Sequence, residues 1–241
     1  MSKMFEFITG TANPLGGECP YKCVYCWARQ LINRNKLEKY QGDPFLDRRV
    51  MKKRYGIGDF IFAVDMRDPC SPDVPTEMLL EIFSWMEESP DARFLMTTKN
   101  PDRYDKLKDS LPKNLVIGAT IETDKISFTE TIPYKYTKYN HISEAPIPIL
   151  RLGTMIPMQN YIKNPIFISI EPILDFDEDA LQFIHWLYSI QPWAVAVGYD
   201  NYNHQLPEPP RWKTMKLIEE LAKFTKVYRK SLRRAWWEIE P

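Results

Sequence analysis

The sequence predicts an α/β protein: a parallel sheet with helical crossovers, its βα units forming an incomplete (βα)6 TIM-type barrel. Three observations lead there. Short apolar runs of strand length recur between residues 59 and 228. Segments with helical spacing separate most of them. Charged residues stand just past several of the runs, where the C-terminal ends of barrel strands carry site residues. The 241 residues suit one large domain, 1–241, with a basic aromatic tail over about residues 226–241.

In chain order, helical character first runs over about residues 28–39, and a second such stretch surrounds residues 47–54. Asp59-Phe60-Ile61-Phe62-Ala63-Val64 is a continuous apolar run, the mark of a buried strand. Residues 76–87 place Met78, Leu79, Ile82, Phe83 and Met86 on one helical face. Residues 93–98 form the next strand, and Pro101 opens a helix reaching about residue 107. Residues 115–121 are another strand. A polar, tyrosine-rich stretch over residues 123–145 then breaks the rhythm, and residues 147–150 read as helical or irregular. Strands at 166–170, 193–198 and 226–228 alternate with helices at 177–190 and 211–224.

Composition narrows the function classes. Hydrophobic residues make up 44% and charged residues 27%, as in globular proteins. No apolar run reaches membrane-span length and no signal peptide is evident, so a cytoplasmic protein is expected, without a membrane partner. The 32 Lys and Arg balance the 32 Asp and Glu, which does not announce a nucleic-acid binder by bulk charge. The four cysteines do not form a disulfide framework; they fit a reducing interior.

Three of those cysteines, Cys19, Cys23 and Cys26, are spaced C-x3-C-x2-C on one loop. A zinc site usually has four ligands, and no fourth cysteine or histidine follows nearby. Three thiolates suit a cubane iron–sulfur cluster with one iron left open to a chelating molecule. His141, His185 and His204 show no ligand spacing with one another. Cys70 lies alone, and a lone free cysteine is commonly a small buried hydrophobe. Asp65 and Asp68 follow the run 59–64; Lys99, Glu122, Glu171 and Asp200 each follow another run. In a barrel they converge on one mouth, as functional groups or as ion pairs at the rim. The tail mixes Lys226, Arg229, Lys230, Arg233 and Arg234 with Tyr228, Trp236 and Trp237. That mixture suits phosphate contacts and base stacking, or closure of the open barrel; the loop at residues 134–140 has a similar character.

The cysteine loop, with Tyr25 before the third cysteine, resembles the signature of the radical SAM superfamily. The flanking Asn13-Pro14-Leu15-Gly16-Gly17 and Trp27-Ala28-Arg29 are similar to the spore photoproduct lyase and DNA repair photolyase-like group, and to a phage-associated radical-SAM-like family. Blocks at residues 62–68, 71–75, 97–103 and 169–172 resemble that last family, so the likeness spans most of the chain. The resemblance implies the radical SAM fold, a [4Fe-4S] cluster on Cys19, Cys23 and Cys26, and S-adenosyl-L-methionine as cofactor. It implies Tyr25 near the adenine; with such a cofactor at the mouth, the places of Lys99 and of Thr120 or Glu122 past their strands make them candidates for the methionine carboxylate and the ribose. Glu171 and Asp200, by the same placement, are candidates for contact with cofactor or substrate. Asp65-Met66-Arg67-Asp68 stands where many relatives carry Gly-Gly-Glu, which leaves the cofactor's amino contact to Asp65 or to a backbone carbonyl. Cys70 matches a hydrogen-atom donor of the lyase. The implied activity is hydrogen abstraction from a nucleobase or nucleic acid, in repair or modification, fed by a flavodoxin- or ferredoxin-type electron donor. The alternatives are a radical enzyme acting on a peptide or small metabolite, and a non-catalytic iron–sulfur module that binds nucleic acid.

Overall fold

A computed structural model describes residues 4–128, 134–177 and 181–238. Its strands are β1 (Gly10–Ala12), β2 (Leu15–Gly16), β3 (Phe45–Leu46), β4 (Phe60–Ala63), β5 (Arg93–Thr98), β6 (Leu115–Thr120), β7 (Ile166–Ile170), β8 (Ala194–Val197) and β9 (Lys226–Arg229). Its α-helices are α1 (Trp27–Asn35), α2 (Thr76–Glu87), α3 (Asp102–Lys106), α4 (Pro148–Met158), α5 (Leu181–Ile190) and α6 (Arg211–Leu221). Seven strands form one parallel sheet in the order β1-β4-β5-β6-β7-β8-β9. The sheet curls into a half-barrel whose edges are β1 and β9. β2 and β3 make a separate antiparallel pair.

Strand alternation explains why the central runs are mostly apolar. Odd and even positions face opposite sides, and both sides are buried. Ile61, Phe94, Met96, Ile117, Ile168 and Val195 face the helices and share a core with Leu79, Ile82, Phe83, Leu187 and Leu217. Phe60, Phe62, Leu95, Val116, Phe167, Ala196 and Tyr228 face the concave side. There Phe5, Phe7 and Ile8 of the N-terminal segment fill the lumen. The Phe7 ring lies within 6 Å of the rings of Phe5, Phe60, Phe167, Trp193 and Tyr228. Lys230, just past β9, donates from Nζ to the carbonyl of Met4 and ties the open edge to this plug.

The expected strands are all present, and the main sheet has one more. β1 is too short and too weakly apolar to register as a run, and pairing with β4 makes it a strand. The helix expected around 47–54 is replaced by β3 and a single turn at Val50–Lys52. The Asp47 carboxylate accepts from the Arg49 N–H at 3.2 Å and from Lys39 at 2.8 Å, and such local bonds compete with helix. α1 stops at Asn35, short of residue 39, because Lys36 adopts the left-handed region (φ 49°) and ends the helix. α4 extends eight residues past Leu150, through Gly153 and Pro157, which masked it in the sequence. Among the described residues no helix is long and apolar enough to cross a membrane.

Candidate functional site

The cysteine loop lies across the C-terminal mouth of the half-barrel, held from several sides. Gly17, at φ 92°, makes the turn before it; an added Cβ would stand 2.6 Å from the Asp43 carbonyl and 2.8 Å from Arg67 Nη1. Buried Arg67 donates to the Gly16 carbonyl at 3.0 Å, to Ser71 at 2.9 Å and to Asp73 at 2.8 Å. The Val24 N–H donates to the Ile142 carbonyl, and the Glu144 N–H to the Tyr21 carbonyl. Cys23 Sγ lies 3.1 Å from the Ser143 hydroxyl. Cys26 caps α1, its sulfur accepting from the Arg29 N–H at 3.3 Å.

All four cysteines are free thiols. Burial, and Asp68 beside it, push the Cys19 thiol up to about 12. Burial also raises Cys23, against the pull of Lys99. Among the described residues no three His, Cys, Asp or Glu side chains group to hold one metal ion. A single tetrahedral ion needs its sulfurs to converge on one point, whereas a cubane binds each thiolate through a different iron. Three soft donors on one loop therefore fit a cluster. Tyr21, in the same loop, keeps a buried hydroxyl with no hydrogen-bond partner, a donor left for a group at this site.

Below the loop, pleat alternation carries one column of each strand up to the mouth. Thr97 then Lys99 stand above Leu95; Thr120 then Glu122 above Val116 and Gly118; Ser169 then Glu171 above Phe167; Gly198 then Asp200 above Ala196. Register pairs Thr97 with Gly118 and Thr120 with Ser169, so the small polar residues form a band across β5, β6 and β7. The side chains of Thr97, Thr120, Ser169 and Glu171 make no hydrogen bond within the described residues. Burial raises the Glu171 carboxyl to about 7, opposed by Lys230. Gly198 beside it leaves the room: an added Cβ would meet Lys230 Cβ at 2.7 Å and Glu171 Oε1 at 3.2 Å.

Glu122 is different. It is fully buried and both oxygens accept hydrogen bonds. Oε1 accepts from the Tyr25 hydroxyl, from Lys99 Nζ at 2.8 Å and from the Tyr139 hydroxyl at 3.1 Å. Oε2 accepts from Arg151 Nη1 at 2.7 Å. Arg151, also buried, donates further to the Tyr139 hydroxyl, the Thr120 carbonyl and the Pro146 carbonyl. Burial alone would push Glu122 up, but Arg151 and Lys99 hold it well below the usual carboxylate range. Lys99 Nζ also lies 5.2 Å from the centre of the Tyr25 ring.

The remaining expected residues sit as follows. Asp65 accepts from Asn13 Nδ2 at 2.6 Å and follows Val64, whose φ of 58° is rare for a β-branched residue and costs about 1–3 kcal/mol. Asp68 is bonded to Thr98 Oγ1, the Lys99 N–H and the Cys70 N–H. Cys70 is 0% exposed and packs on the helix side of the sheet, away from the concave face. Asp200 accepts from the His204 N–H at 2.7 Å and from its Nδ1 at 3.0 Å, while His204 Nε2 meets Gln30 of α1 at 2.8 Å. The tyrosine-rich loop turns inward: Tyr134 and Tyr139 are buried under the cysteine loop. Residues 129–133 lie outside the described residues. In the tail, Arg233 grips Glu208 through two bonds of 2.7 and 2.6 Å. The Trp236 and Trp237 indoles donate to the Leu206 and Glu208 carbonyls, so the tail packs over the mouth.

Sequence reasoning did not single out Arg151, the Asp200–His204–Gln30 chain, Thr97 or Ser169. The two hydroxyls had a signal, standing two residues before Lys99 and Glu171 on the same strand face. Arg151 had none, because its partners come from the end of β6 and from the crossover loop.

No protein-family model and no curated protein sequence matches the chain. Solved structures do. A spore photoproduct lyase complexed with dinucleoside spore photoproduct superposes with TM-score 0.61 at 12% identity, over 91% of this chain and 76% of that one. A lyase variant with bound AdoMet and dinucleoside spore photoproduct gives TM-score 0.56 at 11% identity, over 89% of this chain and 61% of the lyase. Streptococcus suis SuiB bound to S-adenosylmethionine gives TM-score 0.53 at 11% identity, over 97% of this chain and 53% of SuiB. Both proteins are radical SAM enzymes. This chain has the radical SAM fold. Within that fold the three-cysteine loop, the Glu122 network and the polar band share one mouth. The chain spans about three fifths of the AdoMet-bound lyase.

Proposed function

We propose that the protein is a radical SAM enzyme acting on a nucleobase or nucleic acid. The observation that carries the reading is a three-thiol loop facing a band of unpartnered polar side chains in a radical SAM half-barrel. Cys19, Cys23 and Cys26 would hold a [4Fe-4S] cluster, and the cluster with S-adenosyl-L-methionine supplies one-electron cleavage to a hydrogen-abstracting 5′-deoxyadenosyl radical. Thr97, Thr120 and Ser169 offer hydroxyls to the cofactor's ribose and methionine groups. Lys99 Nζ, which makes one hydrogen bond to Glu122, has donors left for a carboxylate. Asp65 has an oxygen free for an amino group. The loop and tail exclude water above the concave wall.

A nucleic acid substrate is supported by the lyase neighbours, which bind a dinucleoside. It is also supported by an open groove of about 460 Å³ beside Asp200, where Trp236, Arg234 and the amides of Asn201 and Asn203 stand together. An aromatic ring, a cation and amides suit a base and its phosphate. A flavodoxin- or ferredoxin-type donor would supply the electron. Cys70 enters this reading only if its buried thiol becomes accessible with substrate bound.

The test is anaerobic. The protein is loaded with iron and sulfide and given S-adenosyl-L-methionine and dithionite, and 5′-deoxyadenosine is quantified. Product from the wild type but not from Cys19→Ala/Cys23→Ala/Cys26→Ala supports the enzyme reading; cleavage retained by the triple variant overturns it. Deuterium transfer from labelled oligonucleotides, but not from peptides or small metabolites, supports the substrate class, and the reverse result overturns it.

A further inference from the structure

We propose that Arg151 is a positioning residue which, with Lys99 and Glu122, sets the reduction potential of a cluster on the cysteine loop through the net positive charge of their buried triad. The inference rests on the cluster reading above.

The geometry is specific. Tyr25 lies between two of the loop cysteines, and its hydroxyl donates to Glu122. Tyr139, bonded to both Glu122 and Arg151, leads into Ser143, whose hydroxyl lies 3.1 Å from Cys23 Sγ. The Ser143 N–H donates to the Tyr139 carbonyl, so loop, triad and thiol are rigidly linked. Lys99, Glu122 and Arg151 carry two positive charges and one negative, all with side chains at most 12% exposed. Water screens such charges weakly. Arg151 has no other acidic partner among the described residues, so the triad itself carries +1; the Asp68 carboxylate beside Lys99 and Cys19 is common to every variant below and cancels in the comparison. Reduction adds negative charge to the cluster; a fixed positive neighbour therefore favours it. Charge and hydrogen bonding around the sulfurs are established levers on cluster potential.

Charge arithmetic distinguishes this field effect from simple damage. The triad is +1 in the wild type, +2 in Glu122→Gln, 0 in Arg151→Met and +1 in the double variant. The experiment is a redox titration of the reconstituted cluster followed by electron paramagnetic resonance, with iron and sulfide content measured alongside. The expected result is a potential above wild type for Glu122→Gln, below wild type for Arg151→Met, and near wild type for the double variant. Shifts of one sign in both single variants, or no shift, would overturn the proposal. If Arg151→Met fails to fold, Glu122→Gln and the double variant decide it: the first must rise and the second must return. A wild type that takes up no cluster overturns the underlying reading, and this inference with it, whereas a loaded cluster with unmoved potentials overturns this inference alone.

Discussion

Glu171 and Glu122 are both glutamates two residues past the last concave-facing position of a strand, yet their surroundings separate them. Glu122 meets four donors and stays ionised. Glu171 meets none among the described residues, and burial lifts it to about 7 with only Lys230 opposing. The folded state therefore binds this proton more tightly than the unfolded chain does. Stability contributed by Glu171 is greatest below pH 4.5 and declines as pH rises toward 7. Glu171→Gln removes the loss, so the cluster-free variant should gain on the wild type by roughly 2 kcal/mol at pH 8 and little at pH 4.5. Thermal unfolding at both pH values checks this, and parallel curves would contradict it. Removing Arg151 alone works oppositely: Arg151→Ala leaves Glu122 buried against one cation, and a loss of about 3–5 kcal/mol is expected from urea unfolding.

At the scale of the element, two glycines make a matched pair. Gly198 continues β8 on the concave face, and a Cβ there would lie 2.7 Å from Lys230 Cβ, an atom fixed to the backbone just past β9. Gly198→Ala must push the sheet edge or Glu171 aside, and should cost about 1–3 kcal/mol. Gly153 lies in α4 with nothing within 4 Å of an added Cβ. Gly153→Ala should stabilise by about 0.5–1 kcal/mol through helix propensity. Urea midpoints that fail to move in opposite directions would refute the packing argument.

For the whole molecule, the open barrel depends on its N-terminal plug. Phe5 is 3% exposed and its ring meets Phe7, Phe62 and Phe167, which come from the segment itself and two strands. Lys230 joins that segment to the end of β9. Phe5→Ala should destabilise the entire sheet by about 3–5 kcal/mol, with one cooperative transition by circular dichroism and fluorescence. A variant that loses only the fluorescence change would show that the plug folds separately.

Local chemistry carried much of this protein in its sequence. Strands buried on both faces must be mostly apolar, so β4 to β8 were legible as runs, and with them the parallel sheet; the edge strand β9 showed only as Val227 and Tyr228 between cations. Cysteine spacing within eight residues specifies a shared ligand whatever the fold, and residues just past the runs had to reach the mouth. Only the tertiary structure decided what those residues do there. Lys99 and Glu122 look alike in sequence terms as charges after strands, but Arg151, Tyr139 and Tyr25 arrive from α4, the crossover loop and the cysteine loop to close a network around them. Likewise β1 exists because β4 supplies its partners, and the tyrosine-rich loop and basic tail, polar enough to suggest an exposed binding surface, turn inward to cover the mouth. Periodicity records which face of an element is buried; it holds no record of which distant side chain will meet it, because that depends on how the sheet curls.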